Sequence, residues 1–547
     1  MLGLYTHFLS SRSFLNSLRL PSSLSSFSRA ISPAPTLSLH LQTNQLFKEM
    51  EKRIGYKCRI GGVVLLLLTS IAALIAVAVI QHTWRSEQYS PEYGIVIDSG
   101  SSRSTMFLYE WPGEKENETG VVKEKTECKV NAIPISEMTG DKQKDAEVWE
   151  AFKNCTDQIL KEIPVEKQKS TSLFLGATAG MRLLQLKDES RSEKVMRNLR
   201  TYLNSLPFNF QNASIISGEE EGLYGWITVN YLMDNFLERN LLNTYMRPHG
   251  AKTVGSMDLG GASTQIAFAV QEPGQGPDYM HVKLYGYPYI VYTHSFLCYG
   301  KNEADKRFLA KVLESTSNQS YKTNPCYQKG YNETINLSAV YDTQCNQKPK
   351  NYNPDQSVLI VGTGDTEQCG KLVESIFDFK TCSSSQCSFN GVEQPPVTGD
   401  FMAYAGFFFI SKALGKNGTS ELDDFELAMR EFCTSDWEDL TVQKKDIKAK
   451  YLKTYCFGAH YVHALLVKGY KFDNKNWKNI HFQRYVGNTS IGWSLGYMLS
   501  MSNMIPSDVK VILPIADPVF SGLIFLFTAL IIIGVVLVSI IIVRMCF

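Results

Sequence analysis

Two short glycine- and serine-rich segments each follow an aspartate that ends an apolar stretch. Asp98 precedes Ser99-Gly-Ser-Ser-Arg103, and Asp258 precedes Leu259-Gly-Gly-Ala-Ser263. Such loops bring backbone N–H groups close to a phosphate, because few side chains block the approach. The aspartates would repel phosphate, so their expected role is to hold, through water, a divalent cation that neutralises it. An aspartate that merely caps its turn is the alternative, but the duplication favours a phosphate clamp with a metal.

A third segment, Gly218-Glu-Glu-Glu-Gly222, places three carboxylates between two glycines. Phosphoryl transfer to water needs a group that orients and deprotonates the water, in line with the leaving oxygen. A carboxylate held at a sharp turn would meet that need, whereas a solvated first helical turn explains the composition equally well. The sequence contains no P-loop, Gly-x-Ser-x-Gly elbow, His-Glu-x-x-His or kinase signature, so those enzyme classes lose most of their support.

The elements that must hold these residues form a repeated pattern. Residues 93–98 and 105–111 are typical of two strands of a hairpin whose tip is the first loop, and the arrangement recurs at 253–258 and 264–270. Between them, residues 173–182 predict a strand that enters a small-residue turn before a helix. Strands alternating with helices indicate an α/β fold. The duplication predicts two similar lobes that face each other across a cleft.

The overall composition limits the classes of function. The chain has 547 residues, with 55 Lys plus Arg against 54 Asp plus Glu, so bulk charge gives no reason to expect nucleic acid as a partner. A hydrophobic fraction of 44%, with 38 Gly and 20 Pro, excludes a wholly disordered chain, a collagen-like repeat and a disulfide mini-scaffold. A large globular protein remains.

Two uncharged apolar runs, 61–80 and 519–543, have 20 and 25 residues, each enough to cross a hydrocarbon layer of ~30 Å. Basic residues flank the outer end of both runs, so the positive-inside rule predicts two cytosolic termini and a translocated block between the runs. A cleaved signal peptide is the alternative. The first run is too long for a typical signal-peptide core, and no small-x-small cleavage site follows it.

Residues 1–48 contain no Asp or Glu, a composition that imitates a mitochondrial transit peptide. Met50 opens a short basic segment that is typical of a cytosolic tail before a signal anchor. We therefore expect the extension to be disordered or alternatively started, with mitochondrial targeting as the alternative.

Cysteines and glycosylation sequons test this topology independently. Ten of the 12 cysteines lie in the translocated block, an even number that fits disulfides in an oxidising compartment, and no Cys or Cys/His spacing indicates zinc. Cys58 and Cys546, at the cytosolic boundaries, are expected to be reduced thiols or palmitoylated. All eight N-x-S/T sequons lie in the block, and they begin at Asn117, Asn154, Asn212, Asn318, Asn332, Asn336, Asn417 and Asn488.

Five ordered motifs run through the central block. They are Asp98-Ser-Gly-Ser-Ser, Gly176-Ala-Thr-Ala-Gly-Met-Arg-Leu-Leu184, Gly218-Glu-Glu-Glu-Gly222, Asp258-Leu-Gly-Gly-Ala-Ser-Thr-Gln265, and the late pair Gly399-Asp-Phe-Met-Ala-Tyr404 and Trp493-Ser-Leu-Gly-Tyr497. Together they resemble the apyrase conserved regions of the ecto-nucleoside triphosphate diphosphohydrolase (apyrase) family. The resemblance extends from about residue 93 to residue 506, and both apolar runs match the cell-surface members. The stretches 231–240, 285–287 and 375–380, with Arg103 in the first loop, look most like the type-3 member.

The resemblance implies an architecture and an activity. The architecture is a pair of RNase H-like lobes of the actin/hexokinase type around a cleft, with one transmembrane helix at each end. The activity is Ca²⁺- or Mg²⁺-dependent hydrolysis of extracellular ATP, ADP, UTP and UDP to monophosphates at the plasma membrane, which would regulate purinergic signalling. The implied boundaries are 1–59 (cytosolic), 60–81 (transmembrane), 92–215 completed by about 490–512 (lobe I), 216–489 (lobe II), 519–543 (transmembrane) and 544–547 (cytosolic).

Individual roles follow from matching motif positions. Glu221 matches the base that activates water, although Glu219 stands where relatives usually carry Gln. Asp98 and Asp258 match the metal-water ligands. Ser99 replaces the usual Ala of the first loop, where its hydroxyl would shift the nucleotide slightly. The matching phosphate-binding positions are Ser101, Ser102, Arg103, Thr178, Gly261, Ala262, Ser263, Thr264 and Gln265.

The family holds the nucleobase in an aromatic sandwich. The matching positions here are Phe408 and Tyr461, supplemented by Lys301, while a plain core role for residues 407–409 stays open. The resemblance also implies five disulfides, which are Cys128–Cys155, Cys298–Cys345, Cys326–Cys369, Cys382–Cys387 and Cys433–Cys456.

Two other interpretations keep the fold but change the function. One is a catalytically silent nucleotide-binding receptor or adhesion ectodomain, and the other is an intracellular nucleoside diphosphatase of the secretory pathway. The intact acidic and loop residues disfavour the silent receptor. The apolar run at 519–543 disfavours the intracellular enzyme. The expected partners are extracellular nucleotides and the lipid bilayer, without nucleic acid. The apolar runs lack a Gly-x3-Gly motif, so the sequence does not decide whether they form a homo-oligomer.

Overall fold

The computed structural model describes residues 36–87, 90–113, 115–116, 118–239, 245–314, 321–382, 386–505 and 515–546. They fall into a terminal unit, formed from the two ends of the chain, and a central unit, Ser86–Ile512.

The first element of the terminal unit is the helix α1 (Thr36–Glu87), which contains the candidate membrane span Lys57–Gln81. From Thr36 it contains no Gly or Pro until Gly55, so helix can propagate from the span into the preceding segment. The expected disorder is therefore wrong for residues 36–48, and residues 1–35 lie outside the described residues.

The central unit begins with a five-stranded sheet in the order β3-β2-β1-β4-β5. Its strands are β1 (Pro91–Ser99), β2 (Ser104–Pro112), β3 (Lys123–Val130), β4 (Ser172–Ala177) and β5 (Asn209–Ile215). β2 is antiparallel to its neighbours β1 and β3, whereas β4 and β5 run parallel to β1. The connecting helices are α2 (Ala146–Leu160), α3 (Val165–Gln168), α4 (Ala179–Lys187) and α5 (Glu189–Asn204). Of these, α2, α4 and α5 share one buried core with the sheet.

The remaining elements of the central unit follow in chain order. They are α6 (Gly218–Leu232), β6 (Glu238–Arg239), β7 (Tyr245–Met246), β8 (Gly255–Leu259), β9 (Ser263–Val270), β10 (Tyr279–Leu284), β11 (Tyr287–Leu297), α7 (Lys301–Glu314), β12 (Tyr321–Asn324), β13 (Asn332–Asn336), α8 (Leu337–Tyr341), β14 (Ser357–Gly362), α9 (Thr366–Glu374), β15 (Phe401–Ala405), α10 (Gly406–Ala413), α11 (Leu422–Thr434), α12 (Trp437–Gln443), α13 (Ala449–Leu452), α14 (Tyr455–His463), β16 (Ile480–Phe482), β17 (Tyr485–Val486), β18 (Thr489–Ser490) and α15 (Trp493–Ser502).

The second large sheet repeats the first. Its strands β11-β9-β8-β15-β16 have the same order and directions as β3-β2-β1-β4-β5, with β10 added outside β11. The loops at the two hairpin tips also match. Gly100 N–H donates to the Arg103 carbonyl oxygen and Gly260 N–H donates to the Ser263 carbonyl oxygen, both at 3.0 Å. The predicted duplication, and with it the mixed α/β actin-like fold, is confirmed.

Two helices join the lobes. α6 packs on β8, β9 and β11, α15 packs on β1 and β2, and the two helices pack on each other, so their common core contains residues of both sheets. Gly496 permits this contact, because an added Cβ there would lie 1.9 Å from the Tyr224 carbonyl oxygen. The division into 92–215 with 490–512, and 216–489, stays a prediction.

The disulfides and the described sequon asparagines lie in the central unit. Cys128–Cys155 ties β3 to α2, and the other four disulfides, all in the second lobe, are Cys298–Cys345, Cys326–Cys369, Cys382–Cys387 and Cys433–Cys456. These are the pairs that the resemblance implies. The six sequon asparagines that the structure describes are exposed, whereas Asn117 and Asn318 lie outside the described residues. Glycosylation at all eight stays a prediction.

The terminal unit ends with α16 (Asp517–Cys546), which contains the second candidate span, Pro518–Arg544. Gly534 lies against α1, since an added Cβ there would be 2.7 Å from the Leu67 side chain. The Gln81 side chain also exchanges two hydrogen bonds with the Ile515 backbone, both at 3.2 Å. The two ends of the chain therefore touch at these two points within the terminal unit.

Candidate active site

The two loops and the first turns of α6 and α15 border one cavity of about 500 Å³ in the central unit. Five of the predicted site residues do not line it: Thr264, Gln265, Lys301, Phe408 and Tyr461. The ten that do are Asp98, Ser101, Ser102, Arg103, Thr178, Glu221, Asp258, Gly261, Ala262 and Ser263.

The two loops approach each other closely. An added Cβ on Gly261 would lie 2.5 Å from Ser101 Oγ, and one on Gly180 would lie 2.8 Å from Ser101 Cα. The Thr178 N–H donates to the Ser99 carbonyl oxygen at 3.1 Å, which fixes the start of α4 against the same loop. Gly261 thus leaves room for Ser101 of the opposite loop, and Gly180 leaves room for the backbone of the first loop. The backbone donors of both loops can therefore reach one small volume.

The three consecutive carboxylates of α6 have three different surroundings. Glu220 forms a capping box with Ser217: the Ser217 N–H donates to Glu220 Oε2 at 2.8 Å, and the Glu220 N–H donates to Ser217 Oγ at 3.1 Å. Glu219 lies beside Asp278 and His294. Of these three glutamates, Glu221 alone lines the cavity, so it is the acid that the geometry offers as a base.

The glycines that flank the acids serve close packing. Gly218 and Gly222 both lie in the first helical turns of α6, so the expectation of a sharp turn is wrong. An added Cβ on Gly218 would lie 2.2 Å from Ser295 Cβ, and one on Gly222 would lie 2.3 Å from Thr293 Oγ1. The glycines thus allow the start of the helix to lie directly on β11, which sets the position of Glu221.

Replacing Gly218 by Ala should lower the free energy of unfolding by about 1–3 kcal/mol, the usual cost of overpacking, and should reduce activity with it. The added methyl group meets the Ser295 side chain and the Arg182 guanidinium, the latter at 2.5 Å. Urea unfolding of the solubilised protein measures the effect. Gly370→Ala is the control, because its nearest neighbour, His460 Nδ1, lies at 3.3 Å. Equal stability of the two variants would contradict the packing role of Gly218.

Glu221 is held by two side chains. Its Oε2 accepts hydrogen bonds from the Arg182 guanidinium and from Gln265 Nε2, the latter at 2.9 Å. The same Gln265 nitrogen lies 2.7 Å from Ser263 Oγ and 2.9 Å from Ser295 Oγ. Burial raises the pKa of Glu221, whereas the positive charge of Arg182 lowers it. Gln265, expected to bind phosphate, therefore lies behind the cavity wall and orients the carboxylate.

Replacing Arg182 by Met should move the acidic limb of the pH profile of kcat/KM to higher pH. The guanidinium favours the ionised form of Glu221, so without it the pKa of Glu221 rises and the base is deprotonated only at higher pH. Lys187→Met is the control, since this residue of the same helix pairs with the exposed Asp342 at 2.8 Å. An acidic limb that does not move in Arg182→Met would show that the ion pair does not set the ionisation of the base.

Asp98 and Asp258 both line the cavity, and the negative charge of Asp98 acts on Asp258. Burial and the negative charge of Glu221 raise the pKa of Asp98 to about 7. Burial, Glu221 and Asp98 raise the pKa of Asp258 well above its ordinary value. Asp258 Oδ1 is buried without a hydrogen-bond partner among the described residues. Repelling carboxylates with an unpartnered oxygen fit a divalent cation, which would supply the missing positive charge.

Two loop hydroxyls turn away from the cavity. Ser99 has no exposed surface, and its Oγ lies 3.0 Å from Ser104 Oγ at the base of the hairpin. Its hydroxyl therefore does not reach a nucleotide, contrary to the sequence-based expectation. Thr264 Oγ1 donates to the Asp258 carbonyl oxygen at 2.6 Å, so it closes the second loop instead of contacting phosphate.

The predicted aromatic sandwich is not assembled. Tyr461 has no exposed surface, its hydroxyl donates to the Tyr299 carbonyl oxygen, and its ring packs on Phe377 with the centroids 5.4 Å apart. A ring enclosed in the core of the second lobe has no free face, so the prediction for Tyr461 is wrong. Phe408 is half-buried on α10 and lies outside the cavity lining.

The contacts of Lys301 also differ from those predicted. Its Nζ lies 4.7 Å from the centroid of the Tyr455 ring and donates to Thr454 Oγ1 at 2.9 Å. Burial lowers the pKa of this lysine, and the charge of Asp305 acts in the opposite direction. The aromatic neighbour of Lys301 is thus at the start of α14, six residues before Tyr461.

Sequence reasoning missed a group at the edge of the cavity. The Arg484 guanidinium lies 5.4 Å from the centroid of Phe409 and 4.8 Å from that of Tyr485, and all three residues line the cavity. Stacking on two rings orients the guanidinium, whose N–H groups can donate hydrogen bonds to a ligand. Phe409 belongs to the aromatic run already noted, but Arg484 and Tyr485 lie in no motif. The sequon residue Asn488 lines the same edge.

Comparison with known proteins identifies the family. Residues 85–514 match the GDA1/CD39 (nucleoside phosphatase) family. The chain is 46% identical to ectonucleoside triphosphate diphosphohydrolase 3 of Homo sapiens over 471 residues, covering 85% of this chain and 88% of that relative. It is 39% identical to ectonucleoside triphosphate diphosphohydrolase 1 of Mus musculus over 489 residues, covering 88% and 95% of the two chains.

Solved structures support the fold. The chain is similar to nucleoside triphosphate hydrolases from Neospora caninum, with a TM-score of 0.55 and 16% identity over 79% of this chain and 95% of that one. At this identity the likeness supports the fold alone, whereas the family match extends over both loops and the acidic start of α6. The chain therefore belongs to the GDA1/CD39 nucleoside phosphatase family.

Proposed function

We propose that the chain hydrolyses extracellular nucleoside tri- and diphosphates, such as ATP, ADP, UTP and UDP, to monophosphates and phosphate. The observation that carries this proposal is the convergence of Glu221, Asp98 and Asp258 on one cavity between two loops of backbone donors. A water-activating base, a cation site and a phosphate clamp are the parts that phosphoryl transfer to water requires. Relatives that carry the name ectonucleoside triphosphate diphosphohydrolase support the substrate class.

Asp98 and Asp258 would hold a divalent cation, through water, beside the phosphate chain. When bound, Ca²⁺ or Mg²⁺ would neutralise phosphate oxygens and make the terminal phosphorus easier to attack. Both ions take carboxylate and water oxygens as ligands. The unpartnered Oδ1 of Asp258 provides one acceptor for such a water.

Glu221 would take a proton from a water that attacks the terminal phosphorus opposite the leaving oxygen, without a covalent intermediate. Gln265 orients the carboxylate, and its contact with Ser263 Oγ links the base to the second loop. The positive charge of Arg182 lowers the pKa of Glu221 and so opposes the effect of burial. The backbone donors of both loops would stabilise the charge that develops on the transferring group.

One cavity suffices for two successive cleavages. A nucleoside diphosphate can move its terminal phosphate to the position that the γ-phosphate of the triphosphate occupied. The loops bind phosphate through backbone groups that do not distinguish the two substrates. A cavity of about 500 Å³ lies within the usual range for a ligand of this size.

Arg484, with Phe409 and Tyr485, would contact the part of the nucleotide away from the cleaved bond. We expect Arg484→Ala to raise KM for ATP about tenfold, equivalent to ~1.4 kcal/mol, with kcat nearly unchanged, because the contact is the same in ground and transition states. Arg247→Ala is a matched control: this arginine stacks on Tyr287 at 4.4 Å but does not line the cavity. A fall in kcat without a rise in KM in Arg484→Ala would contradict this role.

Intact cells that express the full chain test the function and the topology together. We expect phosphate release from external ATP and from external ADP when calcium is present, and none after chelation. Such release would place the central unit outside the cell with both termini cytosolic, where the enzyme would regulate purinergic signalling. No release from cells that display the protein would favour the silent receptor, and release only after permeabilisation would favour an internal membrane.

A further inference from the structure

A second group of potential metal ligands lies in the second lobe, outside the cavity. Glu219 is on the first turn of α6, Asp278 directly precedes β10, and His294 is on β11. One ligand atom from each of the three lies within 4.8 Å of the others. His294 Nδ1 and Asp278 Oδ1 are already 2.9 Å apart. The three residues are far apart in sequence, which explains why no spacing motif indicated a metal site here.

The backbone around this group is fixed by neighbouring contacts. The Thr293 N–H donates to the Asp278 carbonyl oxygen at 2.7 Å, and Thr293 Oγ1 donates to the Glu219 carbonyl oxygen at 3.0 Å. The His294 ring lies edge-on to Phe296, with centroids 4.4 Å apart. Thr293 therefore ties two of the ligand-bearing segments to the strand that bears the third, so the ligands are preorganised.

The group is also reachable by an ion. The side chains of His294 and Asp278 are 19% and 23% exposed, and Glu219 is half-buried. None of the three lines the active-site cavity, and none has a part in the hydrolysis described above. An ion site needs ligands that are held in place and a path by which the ion can enter. These three side chains meet both needs.

We propose that Glu219, Asp278 and His294 form a second metal site that takes a Zn²⁺-type transition metal. An imidazole nitrogen with two carboxylates suits Zn²⁺, which commonly has three protein ligands and one water. Ca²⁺ and Mg²⁺ prefer oxygen ligands alone, so the cation of the active site would not compete for it. The bound ion would fasten the first turn of α6, which carries Glu221, to the loop before β10 and to β11.

The test uses the full-length protein in detergent with millimolar Ca²⁺, which saturates the oxygen-ligand site. Micromolar Zn²⁺ should raise the midpoint of thermal unfolding of the wild type, because an ion that binds only the folded state stabilises it. Co²⁺ as a spectroscopic probe should give a visible absorption band that Zn²⁺ abolishes at one equivalent. Both signals should be lost in His294→Gln and strongly reduced in Asp278→Asn.

His481→Gln is the matched control, since His481 also lies near a carboxylate, with its Nε2 3.8 Å from Asp400 Oδ1, and this variant should keep both signals. Calcium-dependent ATP hydrolysis by His294→Gln shows that the variant is folded, and Asp278→Asn provides a second variant if it is not. Absence of both signals in the wild type, or their persistence in His294→Gln and Asp278→Asn, would overturn the proposed site.

Discussion

Glu221→Gln should lower kcat for both ATP and ADP about 10²- to 10⁴-fold, the range for loss of a positioned general base. The amide keeps the size of the side chain and can still contact Gln265 and Arg182, so KM should stay close to that of the wild type. A loss in kcat with little change in KM is expected when a group acts mainly in the transition state. Initial rates of phosphate release over a range of nucleotide concentrations measure both constants.

The neighbouring acids provide matched controls for this result. Glu220 is engaged in the capping box with Ser217, a role that Gln can also fill, and Glu219 lies outside the cavity lining. Glu220→Gln and Glu219→Gln should therefore keep kcat within a few-fold of the wild type in calcium alone. An equal loss in all three variants would mean that the acidic turn acts through its overall charge and that Glu221 is not a specific base.

Asp258→Asn should raise the calcium concentration for half-maximal activity about 10- to 100-fold, the usual effect of losing a group that orients a metal's ligands. Asn preserves the shape but removes the charge that attracts the cation and one acceptor for its water. The loss of rate should be largest at limiting calcium and smaller at saturating calcium. Calcium titrations of ATP hydrolysis measure this directly.

Asp400→Asn is the control for Asp258→Asn. Asp400 directly precedes β15, the strand beside the one that carries Asp258, but it is exposed and lies outside the cavity. Its calcium dependence should match that of the wild type. If Asp258→Asn also kept the wild-type calcium curve, the unpartnered Oδ1 would have no connection with a cation.

The fold could be predicted largely from the sequence, because the hairpin with a glycine-rich tip is a local pattern that occurs twice. Apolar alternation and the loops at Asp98 and Asp258 identify each copy without knowledge of the other. The register of the parallel strands β4 and β15 is set by contacts distant in the chain, so only the structure gives it. The extension of α1 back to Thr36 was missed, because continuation of a helix from an apolar span leaves no composition signal.

The site could be predicted only in part. Glu221 was singled out by its motif, yet the separation of roles among three adjacent acids depends on the capping contact of Ser217 and on the packing of Gly218 against β11. Tyr461 shows the limit most plainly, since an aromatic residue on an apolar helix has the same sequence pattern whether its ring is enclosed or open. Arg484 was missed because stacking between Phe409 and Tyr485 joins residues from separate segments.

The stereochemical course at phosphorus tests the central claim, direct attack by water, most directly. The substrate is ATP whose terminal thiophosphate is made chiral with two oxygen isotopes, hydrolysed in water that carries the third. A single in-line displacement assisted by Glu221 inverts the configuration, and inversion is the result we predict. Retention would require two displacements through a covalent phosphoenzyme and would contradict direct attack by water.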